Sequence, residues 1–443
     1  MREENLDLIT TPLAIADFRR FWMARFMSVF ATISMVVLIG YQTYDVARAD
    51  YGMDRPEAAF QLGLLGLVQF IPIFLLTPIA GIAADRFDRR MVVMAANLTD
   101  SCIAVTLAVF TYQDALTLPI LFSLAALHGT ARVFNGPALS AIIPNLVPPR
   151  LLPRGIALGY ISWQMGTIIG PAFGGILFES SPSMPHFISA GLLVMSAGLI
   201  MTIRPIRAKQ EGPPVHPFRQ IILGFQFVTG QRFLLGCITL DLFAVLLAGA
   251  TALLPIYARD ILNVGADGLG FMRGAMAAGA APMALFLSFK PIENNVGAKM
   301  LWSVAIFGAG TIAFGLSRDF YLSLALLTLL GATDMISMFI RSSLVQLNTP
   351  DTMRGRVSSI SGLAISASNE LGEMQSGIAA ALLGATGAVV FGGAGAIFVT
   401  IAWAFLFPEI RKAKTFSSKY LDDPPTGNSP EDPLTDATRE KTK

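Results

Sequence analysis

Twelve stretches of this chain are apolar for long enough to cross a bilayer, and no other feature restricts its possible folds so much. They lie near 21–44, 60–84, 91–112, 115–139, 156–178, 185–204, 234–257, 268–290, 299–317, 320–344, 356–384 and 387–408. Each can cover roughly 30 Å of hydrocarbon as a helix. Backbone polar groups in hydrocarbon must be satisfied inside the protein, so only helices and closed barrels span it. Runs of this length read as transmembrane helices. The expected fold is therefore all-α and membrane-integral: twelve helices in two pseudo-symmetric six-helix bundles.

Composition agrees. The 443 residues are 53% apolar and 14% charged, with a mean hydropathy of +0.60, where soluble domains carry about 25% charge. A net charge of +2 gives no reason to expect nucleic acid or another polyanion. Cys102 and Cys237 stand far apart in apolar runs, and His128, His186 and His216 are scattered. Neither set has metal-ligand spacing, so no metal or other cofactor is expected. The opening MREENLDLITTPLAIADFRR is too acidic for a cleaved signal, so the first span is expected to be retained.

The longest interruption, 205–233, contains RPIRAKQEGPPVHPFRQ and divides the spans six and six. The expected organisation is a bundle over 1–204, a cytoplasmic linker over 205–233, a second bundle over 234–410 and a polar, disordered tail over 411–443. With the N-terminus cytoplasmic, the inside loops hold 14 Lys and Arg against 4 outside, so both termini are expected inside. The halves also repeat. A shift of 202 carries Pro148 onto Pro350, Arg154 onto Arg356, Gly170 onto Gly372 and Gly175 onto Gly377. A shift of 213 carries Arg19 onto Arg232, Tyr44 onto Tyr257 and Gly52 onto Gly265. Parallel repeats of this kind place a transporter's site between the halves, near mid-membrane.

Charged residues inside spans are costly, about 2.5–3.5 kcal/mol for Arg even on the lenient scale. Arg132 therefore should face a cavity or a partner, and it shares helical spacing with His128 and Asn135. The 202 shift carries Arg132 onto Asp334, which is followed at helical spacing by Ser337 and Arg341. Arg341 is a further candidate for the coupling site, with snorkelling as its alternative near the helix end, whereas Arg25 is read as snorkelling. Glu370 and Glu373 lie three apart in SNELGEMQSG. Two carboxylates so close in low dielectric cannot both ionise cheaply, which suits a proton carrier. Asp241 is a further candidate. In QMGTIIGPAFGGIL, Gly166, Gly170 and Gly174 form one smooth helix face beside Pro171 and Gly175, a pattern tolerated in membranes where small residues let helices approach.

Three of these stretches resemble signatures of the major facilitator superfamily. GIAADRFDRR at 81–90 resembles the loop between its second and third helices, with Gly81, Asp85, Arg86, Arg89 and Arg90 in place and Asp88 where Gly is usual. RVFNG at 132–136 resembles its fourth-helix signature, with Asn135 in place of Gln. GTIIGPAFGG at 166–175 is similar to the fifth-helix motif of its antiporters. YQTYD, FNGPA and MRGRV further resemble the branch containing enterobactin exporters and macrolide-efflux proteins. The resemblance, over 15–410, implies alternating access. It makes the 81–90 cluster a cytoplasmic latch and the glycine motif a surface on which the fifth helix rocks against the other half. It also implies an inner-membrane exporter of a hydrophobic or amphipathic small molecule, driven by proton antiport. The expected partners are substrate, protons and lipid, with the chain acting as a monomer. An importer or lipid mover of the same fold is the nearest rival, and a polytopic membrane enzyme the rival from another class. The enzyme would need clustered catalytic groups that the sequence does not display.

Overall fold

In the computed structural model the described residues are 11–206, 217–290, 292 and 294–416. His216 and the tail beyond residue 416 lie outside them. The helices are α1 (Ala16–Ala49), α2 (Arg55–Arg86), α3 (Arg89–Tyr112), α4 (Leu118–Leu146), α5 (Leu152–Ser180), α6 (Met184–Met201), α7 (Pro217–Gly230), α8 (Arg232–Leu247), α9 (Leu254–Ile256), α10 (Gly265–Phe289), α11 (Val296–Leu316), α12 (Phe320–Leu347), α13 (Asp351–Leu406) and α14 (Pro408–Lys412).

Among the described residues, ten helical stretches are long and apolar enough to cross a membrane. Two further crossings complete the expected twelve. The 29-residue α4 is long enough, but His128, Arg132 and Asn135 hold down its hydropathy. The 56-residue α13 is about 84 Å long at 1.5 Å per residue, far more than one crossing. It is broken at Gly384, whose φ of 73° and ψ of 163° no side-chain-bearing residue adopts comfortably. The expected eleventh and twelfth spans are the two limbs of this one bent helix. The seventh span is also interrupted: α8 ends at Leu247 and the crossing finishes through a short 3₁₀ turn, α9 and a π-helical segment, Tyr257–Ile261.

Helices α1–α6 pack on one another, as do α8–α13, and the two bundles meet where α2 lies along α13 and α5 along α10. The repeat seen in the sequence is physical. Gly52 and Gly265 both take a positive φ, 62° and 65°, and Tyr44 and Tyr257 are both fully buried. The expected linker, and the start of the tail expected to be disordered, both hold packed structure. The linker contains α7, whose Gly224 rests against Arg356 of α13. The start of the tail is tied down, because Gly297 N donates to Ala413 O at 3.0 Å.

One membrane face carries the start of α1 and the end of α14 and is called here the terminus face; the opposite one is the far face. Glycines in the far halves of their helices let the backbones of α2 and α13, and of α5 and α10, approach closely between the bundles. A Cβ on Gly63 would stand 3.0 Å from Gly377 Cα, one on Gly175 would stand 2.2 Å from Ala266 O, and one on Gly270 would stand 2.4 Å from Pro171 O. Small residues permit this backbone contact. Toward the terminus face the facing side chains Tyr160 of α5 and Asp334 of α12 are exposed. The bundles are therefore closed together at the far face and parted toward the terminus face.

Candidate functional site

Where the close contact between α2 and α13 ends, charges from both bundles converge. Gly66 makes this possible, since a Cβ there would stand 2.8 Å from Glu373 Cβ. Arg132 Nη1 of α4 lies 3.6 Å from Glu370 Oε1 of α13, with 30% and 10% of the two side chains exposed. Gln69 of α2 also faces Arg132, its Oε1 3.5 Å from Nη1. From the second bundle, Arg273 of α10 interacts electrostatically with Glu373 and Glu370. Gln69, Arg273 and Glu373 line a cavity of about 20 Å³, room for about one water. Two guanidiniums balance two carboxylates, which is how charges are tolerated at this depth.

The sequence-based expectations divide against this geometry. Arg132, Glu370 and Glu373 come together across the bundles. Arg132 does not meet Asp334, its counterpart under the 202 shift. Asp334 instead faces the opening between the bundles, its charge acting on Tyr160 of α5. A repeat shift marks equivalent places in two bundles, and equivalent places need not touch.

Other candidates point into single bundles. His128 and Asn135 share a face, but it is turned from Arg132 toward α3. His128 Nδ1 is 2.9 Å from Asp100 Oδ1, both side chains fully buried. Asn135 Nδ2 donates to Asn97 Oδ1 at 2.9 Å and Ser28 Oγ at 3.1 Å, and Asn97 Nδ2 donates to Ser196 Oγ at 2.9 Å. This network stitches α1, α3, α4 and α6. Asp241 of α8 forms a buried ion pair with Arg341 of α12, inside the second bundle. Arg341 therefore does not snorkel. Arg25 lies against α5, its Nη1 3.4 Å from the Cβ position of Gly159.

The glycine motif of α5 also needs a correction. Gly166, Gly170 and Gly174 pack against α1 of their own bundle, where added Cβ atoms would stand 2.9 Å from Phe30 N, 2.6 Å from Phe30 O and 2.1 Å from Ser34 Oγ. A helix face smooth enough for close contact is used here for the tightest packing within the bundle. Contact with the other half falls to the neighbouring face, through Gly175 and the carbonyl of Pro171.

In the 81–90 loop, a Cβ on Gly81 would meet nothing within 4 Å and Arg86 is exposed. The side chain of Asp85 lies outside the described ones. Arg89 donates to Ala141 O at 2.7 Å. Asp88, with φ −58° and ψ 115°, caps α3 by accepting from Arg90 N. It needs no left-handed backbone, so Asp serves here where Gly is usual. Arg90 Nη2 pairs with Asp88 Oδ2 at 2.7 Å and Nη1 donates to Ile203 O. Partial burial works to raise the Asp88 carboxyl, but the Arg90 side-chain and backbone hydrogen bonds outweigh it and hold the group below the usual carboxylate range.

Sequence reasoning passed over Arg273 and Gln69. Arg273 was open to the cost argument applied to Arg132. Gln69, uncharged and lone in an apolar span, gave no such signal. In the sequence Tyr44 served only as a repeat marker, and Arg48, Arg55 and Arg259 only among the four basic residues of the outside loops, although Tyr44, Arg48 and Arg55 meet Asp260 and Arg259 meets Asp45 across the far face.

Comparison with known proteins bears on the family. Residues 9–429 match the family of the major facilitator superfamily described as transmembrane secretion effector. The enterobactin exporter EntS of Shigella flexneri is 26% identical over 393 residues, covering 87% of this chain and 88% of that protein. The corresponding Escherichia coli O1:K1 exporter is 25% identical with the same coverage. Among solved structures, a bacterial homologue of the human lysosomal transporter Spinster superposes with a TM-score of 0.68 at 14% identity, over 89% of this chain and 97% of that one. The POT family transporter PepTSo gives a TM-score of 0.70 at 11% identity, over 89% and 98%. Helices in two repeated bundles, a gap between them closed at one face, and charges meeting across it accord with these likenesses: the chain belongs to the transmembrane secretion effector family of the major facilitator superfamily, and is a transporter rather than an enzyme.

Proposed function

We propose that the chain exports an amphipathic small molecule by proton antiport, loading it from the cytoplasmic side. The observation that carries the reading is the charge cluster Arg132–Glu370–Glu373–Arg273, contributed by both bundles and placed where their close contact ends. The excess of Lys and Arg in its loops supports a cytoplasmic terminus face, and on that reading the gap between the bundles is the inward-open form.

An ionised carboxylate accepts hydrogen bonds from substrate hydroxyl or ammonium groups, whereas a protonated one has lost part of that capacity. Glu370 and Glu373 can therefore hold either a proton or the substrate's donors. On the cytoplasmic side the proton leaves, and Arg132 and Arg273 balance the remaining charge. On the far side protonation releases the substrate and removes the Arg132–Glu370 attraction that links the bundles in this form. Each occupant excludes the other, which is the requirement for exchange. Because the relatives named above export enterobactin, a catecholate siderophore is the first substrate to test. Its hydroxyls and aromatic rings suit the acids and the exposed Tyr160 and Trp163.

The test is uptake into everted vesicles under an imposed pH gradient, with a panel led by catecholates. Gradient-driven uptake by the wild type, lost in Glu373→Gln while downhill exchange persists, is the expected result. Uptake indifferent to collapse of the gradient would remove proton antiport.

A further inference from the structure

On the far face a second set of charges meets across the bundles, beside a cavity that the transport reading does not use. The π-helical segment Tyr257–Ile261 presents two adjacent opposite charges to the first bundle; such segments are frequent at functional sites. Arg259 Nη1 pairs with Asp45 Oδ1 at 2.8 Å. Asp260 Oδ2 takes three groups from the other bundle: the Tyr44 hydroxyl donates at 2.7 Å, Arg55 Nε lies at 3.2 Å and Arg48 Nε at 3.8 Å.

Beside Asp260 lies a cavity of about 380 Å³, walled by Arg55 and Ala59 of α2, Ile256, Arg318, and the α13 bend at Gly384 and Thr386. Its size falls within the range of small-molecule sites, about 300–1,000 Å³. Its charge is unbalanced. Arg318 spends its hydrogen bonds on neutral acceptors: Ser317 O at 2.7 Å, Thr386 Oγ1 at 2.9 Å and Gly315 O at 3.1 Å. Asp260, the one carboxylate in the wall among the described residues, is shared with Tyr44 and Arg48. Arg55 keeps 65% of its side chain exposed, against 10% for Asp260.

We propose that this cavity binds a small organic carboxylate with an apolar body, held between Arg55 and Arg318, which competes with Asp260 for Arg55. Guanidinium forks suit carboxylates, and Ala59 and Ile256 offer apolar wall. Occupancy weakens one of the three attachments of Asp260 to the first bundle, so a ligand on the far side acts on the closure of that side. The site is separate from the mid-membrane acids and does not depend on what is transported.

The probe is benzoate, titrated against the purified full-length protein in detergent by saturation-transfer NMR, with benzylamine as a cationic control of the same size. Benzoate should bind the wild type and benzylamine should not. Arg55→Gln and Arg318→Gln, both at exposed positions, should each weaken binding by about tenfold, as expected for the loss of a charge-assisted partner. The decisive variant is Asp260→Asn, which removes the internal competitor and should tighten benzoate several-fold. Weaker or unchanged binding in Asp260→Asn, undiminished binding in Arg55→Gln, or equal binding of benzylamine would each overturn the proposal.

Discussion

The pairs Arg341–Asp241 and Arg132–Glu370 use the same two kinds of group in the same hydrocarbon layer, but they join different things. The first links α8 to α12 within one bundle, and both partners are almost wholly buried, 7% and 12% exposed. The second links α4 to α13 across the bundles and leaves 30% of Arg132 accessible. A pair inside a rigid body keeps its distance as the bodies rock, so it can only hold the body together. A pair between bodies is made and broken by rocking, so it can report which ligand is present. The same division separates His128 and Asn135, tied to α3 of their own bundle, from Glu373, on which Arg132 of the other bundle acts.

The largest effect should come from breaking the internal pair. Asp241→Asn leaves Arg341 buried without its counter-charge, a loss of about 3–5 kcal/mol for such pairs. Folded yield by fluorescence-detected size exclusion should collapse. Replacing both partners, Asp241→Leu with Arg341→Met, should restore folded protein and transport, because an apolar pair of similar volume is often neutral. Failure of the double variant to transport, though folded, would place Asp241 with the working acids.

Breaking the crossing pair should spare the fold and stop the work. Arg132→Ala and Glu370→Gln should melt within a few degrees of the wild type, yet lose gradient-driven uptake by at least about tenfold, 1.4 kcal/mol in the coupling. If either variant unfolds as Asp241→Asn does, the contrast between the two pairs fails.

Glycines sharpen it further. Gly170 abuts α1 of its own bundle and Gly270 abuts Pro171 of the other. Gly170→Leu should lower thermal stability by the 1–3 kcal/mol typical of overpacking. Gly270→Leu should keep its stability and lose far-face closure, read as weaker cross-linking of cysteines placed at the far ends of α5 and α10. Equal melting temperatures for the two variants would remove the distinction.

The smallest effect concerns Asp88, whose cap serves one bundle only. Asp88→Ala should cost about 1 kcal/mol, as for other lost N-caps. The carboxyl is held below its usual range in the folded chain, so its contribution is present above the unfolded value near pH 3.9. It is lost as pH falls through the lower folded value. The stability difference between wild type and Asp88→Ala should therefore shrink on acidification below about pH 4. A difference that is constant with pH would mean the backbone cap alone matters.

Much of this molecule could be read from the chain because hydrocarbon permits few solutions. Twelve apolar runs, their basic loops and two repeat shifts specify helices, number and symmetry, since every backbone group must be satisfied locally. The cost of burying Arg132, Glu370 and Glu373 marks them without any structure, and the same cost should have marked Arg273. What the sequence could not decide is which neighbour each buried group meets. Helical spacing put His128, Arg132 and Asn135 on one face, yet a turn of 3.6 residues is fine enough for α3 to take two of them and α13 the third. The repeat set Arg132 over Asp334, but symmetry relates places within bundles and says nothing of contacts between them. The glycine face of α5 was plain in the sequence, whereas its partner α1 was not, because a smooth surface fits any helix that arrives. Partner choice is a property of how the two bundles stand against each other, and it was settled only when the helices packed.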